Sequence, residues 1–183
     1  MTDLPERVVA LHEHLSEAGL DHAFGGALAL AWCTERARGT IDIDVNVFVE
    51  VDQADQVVAA LPAGVRCTAD DLQILSRDGQ VRLWWDEIPV DVFLDTTDFH
   101  RQAALRCRVE SFAGAEVPFL SCSDLAVFKA FFNRTRDWAD LEDMAAAGTL
   151  DVERIVGVLA RYLGPDDERV VRLLGLAAPE EPR

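Results

Sequence analysis

The chain is predicted to be an α+β protein, a mixed sheet with helices followed by a C-terminal helical bundle. Three observations lead there. The first two thirds mix runs of period two with runs of helical period. The last third carries helical periodicity alone, with Gly148 and Gly164 as breaks. Half of the 183 residues are hydrophobic, enough to fill a core, and neither a repeat nor a low-complexity segment interrupts them.

Taken in order, Leu4, Val8, Leu11 and Leu15 mark an amphipathic helix that Gly19 stops. Residues 21–24 form a short strand, Gly25-Gly26 breaks it, and residues 27–34 return to helix. The stretch ARGTIDIDVNVFV, residues 37–49, alternates strictly and predicts a strand. A helix over 52–61 ends at Pro62. Strands are expected over 72–76, 80–85 and 89–94, with Arg77-Asp78-Gly79 turning between the first two. A helix or extended loop over 99–107 and a strand over 117–120 lead to a helix that Ser121 caps. Helices over 137–147, 151–163 and 166–174 complete the chain.

Composition excludes some roles. The net charge of −16 argues against a general nucleic-acid coat. No apolar run approaches the ~20 residues a membrane span needs, and the start, MTDLPERVV, has no apolar signal region. Cys33, Cys67, Cys107 and Cys122 are widely spaced without a CxxC pair, which reads as free thiols in a cytoplasmic protein. Of 17 cationic residues 16 are arginine, so Lys129, alone in an apolar helix, stands out.

Chemistry is suggested by acids in strands. Asp42 and Asp44 lie two residues apart on one strand face, roughly 6.6 Å along it, where their charges repel and where Asp is a poor strand former. Hard divalent cations take such oxygens, with phosphate oxygens completing the shell. An exposed strand face is the plainer alternative. Asp91, in IPVDVFL, is a third carboxylate in an apolar strand, fit for a metal or for general base work, or else for a salt bridge. Gly25-Gly26 between strand and helix suits a phosphate or simply a tight turn.

The order GG, DxD, D resembles the nucleotidyltransferase fold of the DNA polymerase β type in its minimal form. The chain looks most like the AbiEii-type nucleotidyltransferases of toxin–antitoxin systems. FGGALAL (24–30), RGTIDID (38–44), VDVF (90–93) and SDLAVFKAFFNRTRDWADLEDM (123–144) carry the likeness. Ala27 departs from it, standing where many relatives place Ser. The resemblance implies a catalytic core over 1–120 and a helical region over 121–176 completing the nucleotide site, while the tail AAPEEPR, residues 177–183, reads as disordered. Asp42, Asp44 and Asp91 would be catalytic and bind Mg²⁺, two ions in all. Gly25, Gly26, Arg38, Thr40 and Lys129 would meet the triphosphate of an NTP, with Arg134, Arg136, Asp137 and Asp140 around the nucleotide.

The implied activity is transfer of an NMP from an NTP to an acceptor hydroxyl. The first expected acceptor is the 3′ end of tRNA, which would make the chain a toxin with a cognate antitoxin. The alternatives are a small hydroxylated acceptor such as an aminoglycoside, which suits an acidic chain, and an inactive binding module of the same fold.

Overall fold

The structure is a computed structural model that describes residues 3–36 and 39–177. The chain divides into two compact units, residues 1–28 with 38–120 and residues 29–37 with 121–183. The elements run α1 Leu4–Glu17, β1 His22–Phe24, α2 Gly26–Thr34, β2 Ile43–Glu50, a 3₁₀ turn Val51–Gln53, α3 Ala54–Ala60, β3 Val65–Arg66, α4 Ala69–Asp78, β4 Gln80–Trp85, β5 Ile88–Asp95, α5 Asp98–Ala104, β6 Arg108–Phe112, β7 Ala115–Phe119, α6 Cys122–Phe132, α7 Thr135–Ala146, α8 Val152–Leu163 and α9 Glu168–Ala177. The tail expected from residue 177 onward lies outside the described residues, apart from Ala177 at the end of α9.

The first unit is built on one seven-stranded mixed sheet in the order β3-β4-β5-β2-β1-β7-β6. At its centre β2 and β5 run parallel, with Ile43 opposite Val90, Asp44 opposite Asp91 and Val45 opposite Val92. Ile43, Val45, Val47, Val90, Val92 and Leu94 are wholly buried, so the β-branched face fills the core as the alternation requires. β4 joins β5 as an antiparallel hairpin in which Arg82 pairs with Asp91. Arg7 of α1 clamps its turn: the buried guanidinium donates to the Trp85 carbonyl and to Asp86 Oδ2, and lies over the Trp85 ring.

Three expectations in this unit need correction. The central strand begins at Ile43 rather than in the preceding loop, and Ile41 is 71% exposed. The Thr40 hydroxyl accepts the Asp42 N–H at 3.2 Å and so diverts it from the ladder. Residues 72–76 form part of α4, not a strand, because Thr68 and Asp71 make a capping box that starts a helix. A short apolar run carries no period that separates the two. Arg77-Asp78-Gly79 therefore ends a helix, with Gly79 at φ +69° in the left-handed cap position. The short strands β3 and β6 had no expectation at all.

In the second unit α6 packs on α7 and α8, and α9 on α7 and α8. Trp138, Leu141 and Met144, Ile155 and Leu159, and Val170 and Leu173 are buried at helical spacing. Ser121 caps α6 by accepting the Asp124 N–H. Fully buried Asp124 is bonded in turn by Arg154 at 2.9 Å.

The reading of four free thiols also needs correction. Cys33 and Cys122 form a disulfide with Cα atoms 5.5 Å apart, while Cys67 and Cys107 keep their thiols outside any disulfide. A separation of 89 residues left no sequence signal, since only the fold brings the end of α2 to the start of α6. Closing so long a loop restricts the unfolded chain, and removing such a bond costs about 2–5 kcal/mol. Reduction, or Cys33→Ser with Cys122→Ser, is therefore expected to lower the melting temperature measured by circular dichroism. A melting curve indifferent to reductant would show that this bond does not hold the fold.

Candidate active site

The site is built where the two central parallel strands open toward their acids. Asp44 of β2 and Asp91 of β5 are register partners, and Asp42 stands two residues before Asp44 on the segment leading in. β4 adds Arg82 from the other side. Its Nε and Nη2 each donate to one oxygen of Asp91 at 2.7 Å, and Nη2 lies 3.6 Å from Asp42 Oδ2. Asp44 contributes to the field at the same guanidinium, and the three acids together hold the Arg82 proton more firmly than usual. The forked bond to Asp91 is the largest cause.

One cation thus relieves the repulsion among three carboxylates. The relief is modest, because Arg82 is half exposed and an exposed ion pair contributes only about 0–1 kcal/mol. Among the described residues no group of three His, Cys, Asp or Glu side chains stands at metal-binding spacing. The donor set nonetheless fits a hard divalent cation: the acids supply only carboxylate oxygens, and their side chains converge on one positive charge.

Gly26 gives a second mark of fit. It opens α2 at φ +53°, and a Cβ built there would fall 1.8 Å from Asp44 Oδ2. The Asp44 carboxylate thus lies in a cradle that any larger residue would fill, with the first turn of α2 behind it. Gly25 has another task. Its N–H donates to the Asp44 carbonyl at 2.9 Å, extending the β1–β2 pairing past Phe24. Its amide is committed to β2.

The remaining candidates divide by unit. Thr40 bonds the Asp42 backbone through its hydroxyl. Arg38 lies outside the described residues. In the second unit Lys129, Asp137 and Asp140 form a buried cluster. The ammonium is 2.6 Å from Asp140 Oδ2 and 3.8 Å from Asp137 Oδ1. Arg134 reaches Asp137 at 2.7 Å, and Arg136 is exposed. Lys129 is thus the buried counter-ion of Asp140 and Asp137.

Several polar groups escaped the sequence reading. Arg82 is the first, and its signal was the hairpin: a two-residue turn at 86–87 places residue 82 opposite residue 91. Asn46 is the second, buried two residues beyond Asp44. His100 of α5 approaches its Oδ1 at 3.0 Å, and its Nδ2 donates toward the Ala23 carbonyl at 3.5 Å. Burial lowers the His100 pKa to about 4, so the ring is neutral at pH 7. Asp95, at the end of β5, has an Oδ1 buried without a hydrogen-bond partner. Burial raises its pKa to about 6, against the opposing pull of Arg101.

These two groups pull stability in opposite directions with pH. A raised carboxyl pKa contributes stability below the unfolded value, near 4, that is lost as pH rises through about 6. A depressed histidine pKa contributes stability above about 6.5 that is lost as pH falls toward 4. Asp95→Asn is therefore expected to raise the melting temperature at pH 8 relative to the parent by more than it does at pH 4. An equal shift at both pH values would show that Asp95 is not the titrating group.

No protein-family model matches the sequence, and no curated protein matches it. Solved structures do resemble it. The antibiotic-resistance factor ANT(2'')-Ia in solution aligns at TM-score 0.60 with 13% identity, over 86% of this chain and 90% of that one. The crystal structure of ANT(2'')-Ia with adenylyl-2''-tobramycin aligns at 0.58 with 14% identity, over 96% and 97%. An antigenic nucleotidyltransferase-like protein from Paracoccidioides brasiliensis aligns at 0.52 with 13% identity, over 94% and 85%. With its mixed sheet and the helices that follow, this chain has the nucleotidyltransferase fold.

Proposed function

We propose that this protein is a divalent-metal-dependent nucleotidyltransferase that moves an NMP from an NTP to an acceptor hydroxyl. The observation that carries the reading is the pairing of Asp44 with Asp91 across two parallel strands, with Asp42 reaching the same guanidinium from the segment leading in and Gly26 leaving room for the Asp44 carboxylate. Asp42 and Asp44 hold the ion, with Mg²⁺ the natural match for carboxylate and phosphate oxygens. Bound there, Mg²⁺ supplies positive charge for the attacking and leaving oxygens. Asp91 accepts the proton of the acceptor hydroxyl, or serves as ligand to a second ion. The hydroxyl oxygen bonds to the α-phosphorus as the bond to pyrophosphate breaks. The opening of α2 at Gly26 faces the triphosphate with backbone N–H groups.

For the acceptor, the net charge of −16 favours a small cationic molecule rich in hydroxyls, of the aminoglycoside kind. The adenylyl-2''-tobramycin complex of one structural neighbour supports the same choice. Transfer to the 3′ end of tRNA, as a toxin answered by an antitoxin, is the second reading. What favours it is the AbiEii-like spacing of FGGALAL and RGTIDID, together with the exposed arginines Arg36 and Arg136 as local attraction for RNA. An inactive binding module needs no acid triad, and the intact triad speaks against it.

The test is incubation of the protein with Mg²⁺ and each α-labelled NTP, offering an aminoglycoside panel in one arm and total tRNA in the other. Label on a small acceptor is expected, abolished in Asp42→Ala/Asp44→Ala and reduced about 10²–10⁴-fold in Asp91→Asn. Label on tRNA alone would select the second reading. Neither product, with pyrophosphate release no higher than in the double variant, would overturn the enzyme reading.

A further inference from the structure

Arg82 belongs to none of the motifs that mark the site, yet it is the group its acids share. Both oxygens of Asp91 are taken by the fork, at 2.7 Å each, and Asp42 Oδ2 lies 3.6 Å away on the same side. A hard divalent ion takes carboxylate oxygens at about 2.0–2.1 Å. Such an ion and the forked guanidinium are like charges drawn to the same oxygens, so each weakens the other's hold on Asp91. Asp44 has little freedom to adjust, since its carboxylate lies against the Gly26 backbone. Arg82 has freedom. It is 50% exposed, beside exposed Gln80 and Trp84 on the outward face of β4.

We propose that Arg82 is a resident counter-ion of the acid cluster, and that a divalent cation binds there by displacing it from Asp91. The proposal rests on the reading of Asp42, Asp44 and Asp91 as a metal site. Before the metal arrives, Arg82 is a positioning residue that holds the acids together against their repulsion. As the metal enters, the guanidinium swings off Asp91 and stays tethered to β4 beside the site. Metal affinity is thereby set by the exchange of one cation for another.

The test is Mn²⁺ binding without nucleotide, followed by electron paramagnetic resonance of the free ion, together with melting curves. The proteins are the parent, Arg82→Gln, Arg82→Lys and Asp42→Ala/Asp44→Ala. Arg82→Gln is expected to bind Mn²⁺ about twofold to fivefold more tightly than the parent, the worth of one exposed ion pair. It is also expected to melt lower than the parent without metal and to gain more from saturating Mn²⁺. Arg82→Lys keeps the charge but not the fork, and its affinity is expected between the two; it stands in if the glutamine variant does not fold. Equal or weaker Mn²⁺ binding by a folded Arg82 variant, with parent binding that depends on Asp42 and Asp44, would overturn the displacement alone. Mn²⁺ binding that is absent, or indifferent to Asp42→Ala/Asp44→Ala, would overturn the metal-site reading and the proposal with it.

Discussion

Like charges held close together constrain the first unit of this protein. Asp44 and Asp91 stand opposite each other on neighbouring parallel strands anchored by buried Ile43, Val45, Val90 and Val92, so these two acids cannot move apart without disturbing β2 and β5, and Asp42 stands on the segment that leads into β2. A carboxylate cluster of this kind needs a cation. Arg82 supplies one from β4, and the register of the β4–β5 hairpin puts it there. The hairpin is pinned in turn by Arg7, whose buried guanidinium holds the turn at Trp85 and Asp86. A chain of contacts thus runs from α1 through a turn to the counter-ion of the site.

Gly25 and Gly26, adjacent in sequence, do different work. Gly25 is part of the sheet, its amide bonded to the Asp44 carbonyl. Gly26 is part of the site, with a positive φ and a missing Cβ that leaves room for the Asp44 carboxylate. Further along β2, Asn46 is held by neutral His100 and reaches back toward the Ala23 carbonyl of β1. β2 is therefore tied to the strand before the glycine turn on both sides of Asp44. This kind of support holds a functional side chain within the tolerance that chemistry requires.

Much of this was legible in the sequence. The period-two run around Asp44 and the strand around Asp91 were plain because one face of each is uniformly β-branched. The helical last third was plain because Gly148 and Gly164 punctuate apolar positions at helical spacing. What was hidden depends on partners distant in the chain. The Cys33–Cys122 bond spans 89 residues. α4 was obscured because its apolar run is short and its defining feature is the Thr68–Asp71 cap. Arg82 was hidden because it reads as an ordinary outward residue of a strand, and only pairing with β5 shows which acid it faces. Lys129 stood out correctly as unusual, but its burial against Asp137 and Asp140 was a matter of packing in the second unit.

In the proposed function the three acids and Gly26 form one site for a divalent cation and a triphosphate. The decisive measurement is a crystal structure grown with Mn²⁺ and a non-hydrolysable NTP, with the ion located by its anomalous scattering. An anomalous peak bounded by Asp42 and Asp44 is expected, with phosphate oxygens in its shell and the triphosphate against the backbone of Gly26. An ion bound elsewhere, or a nucleotide that leaves these acids untouched, would contradict that function.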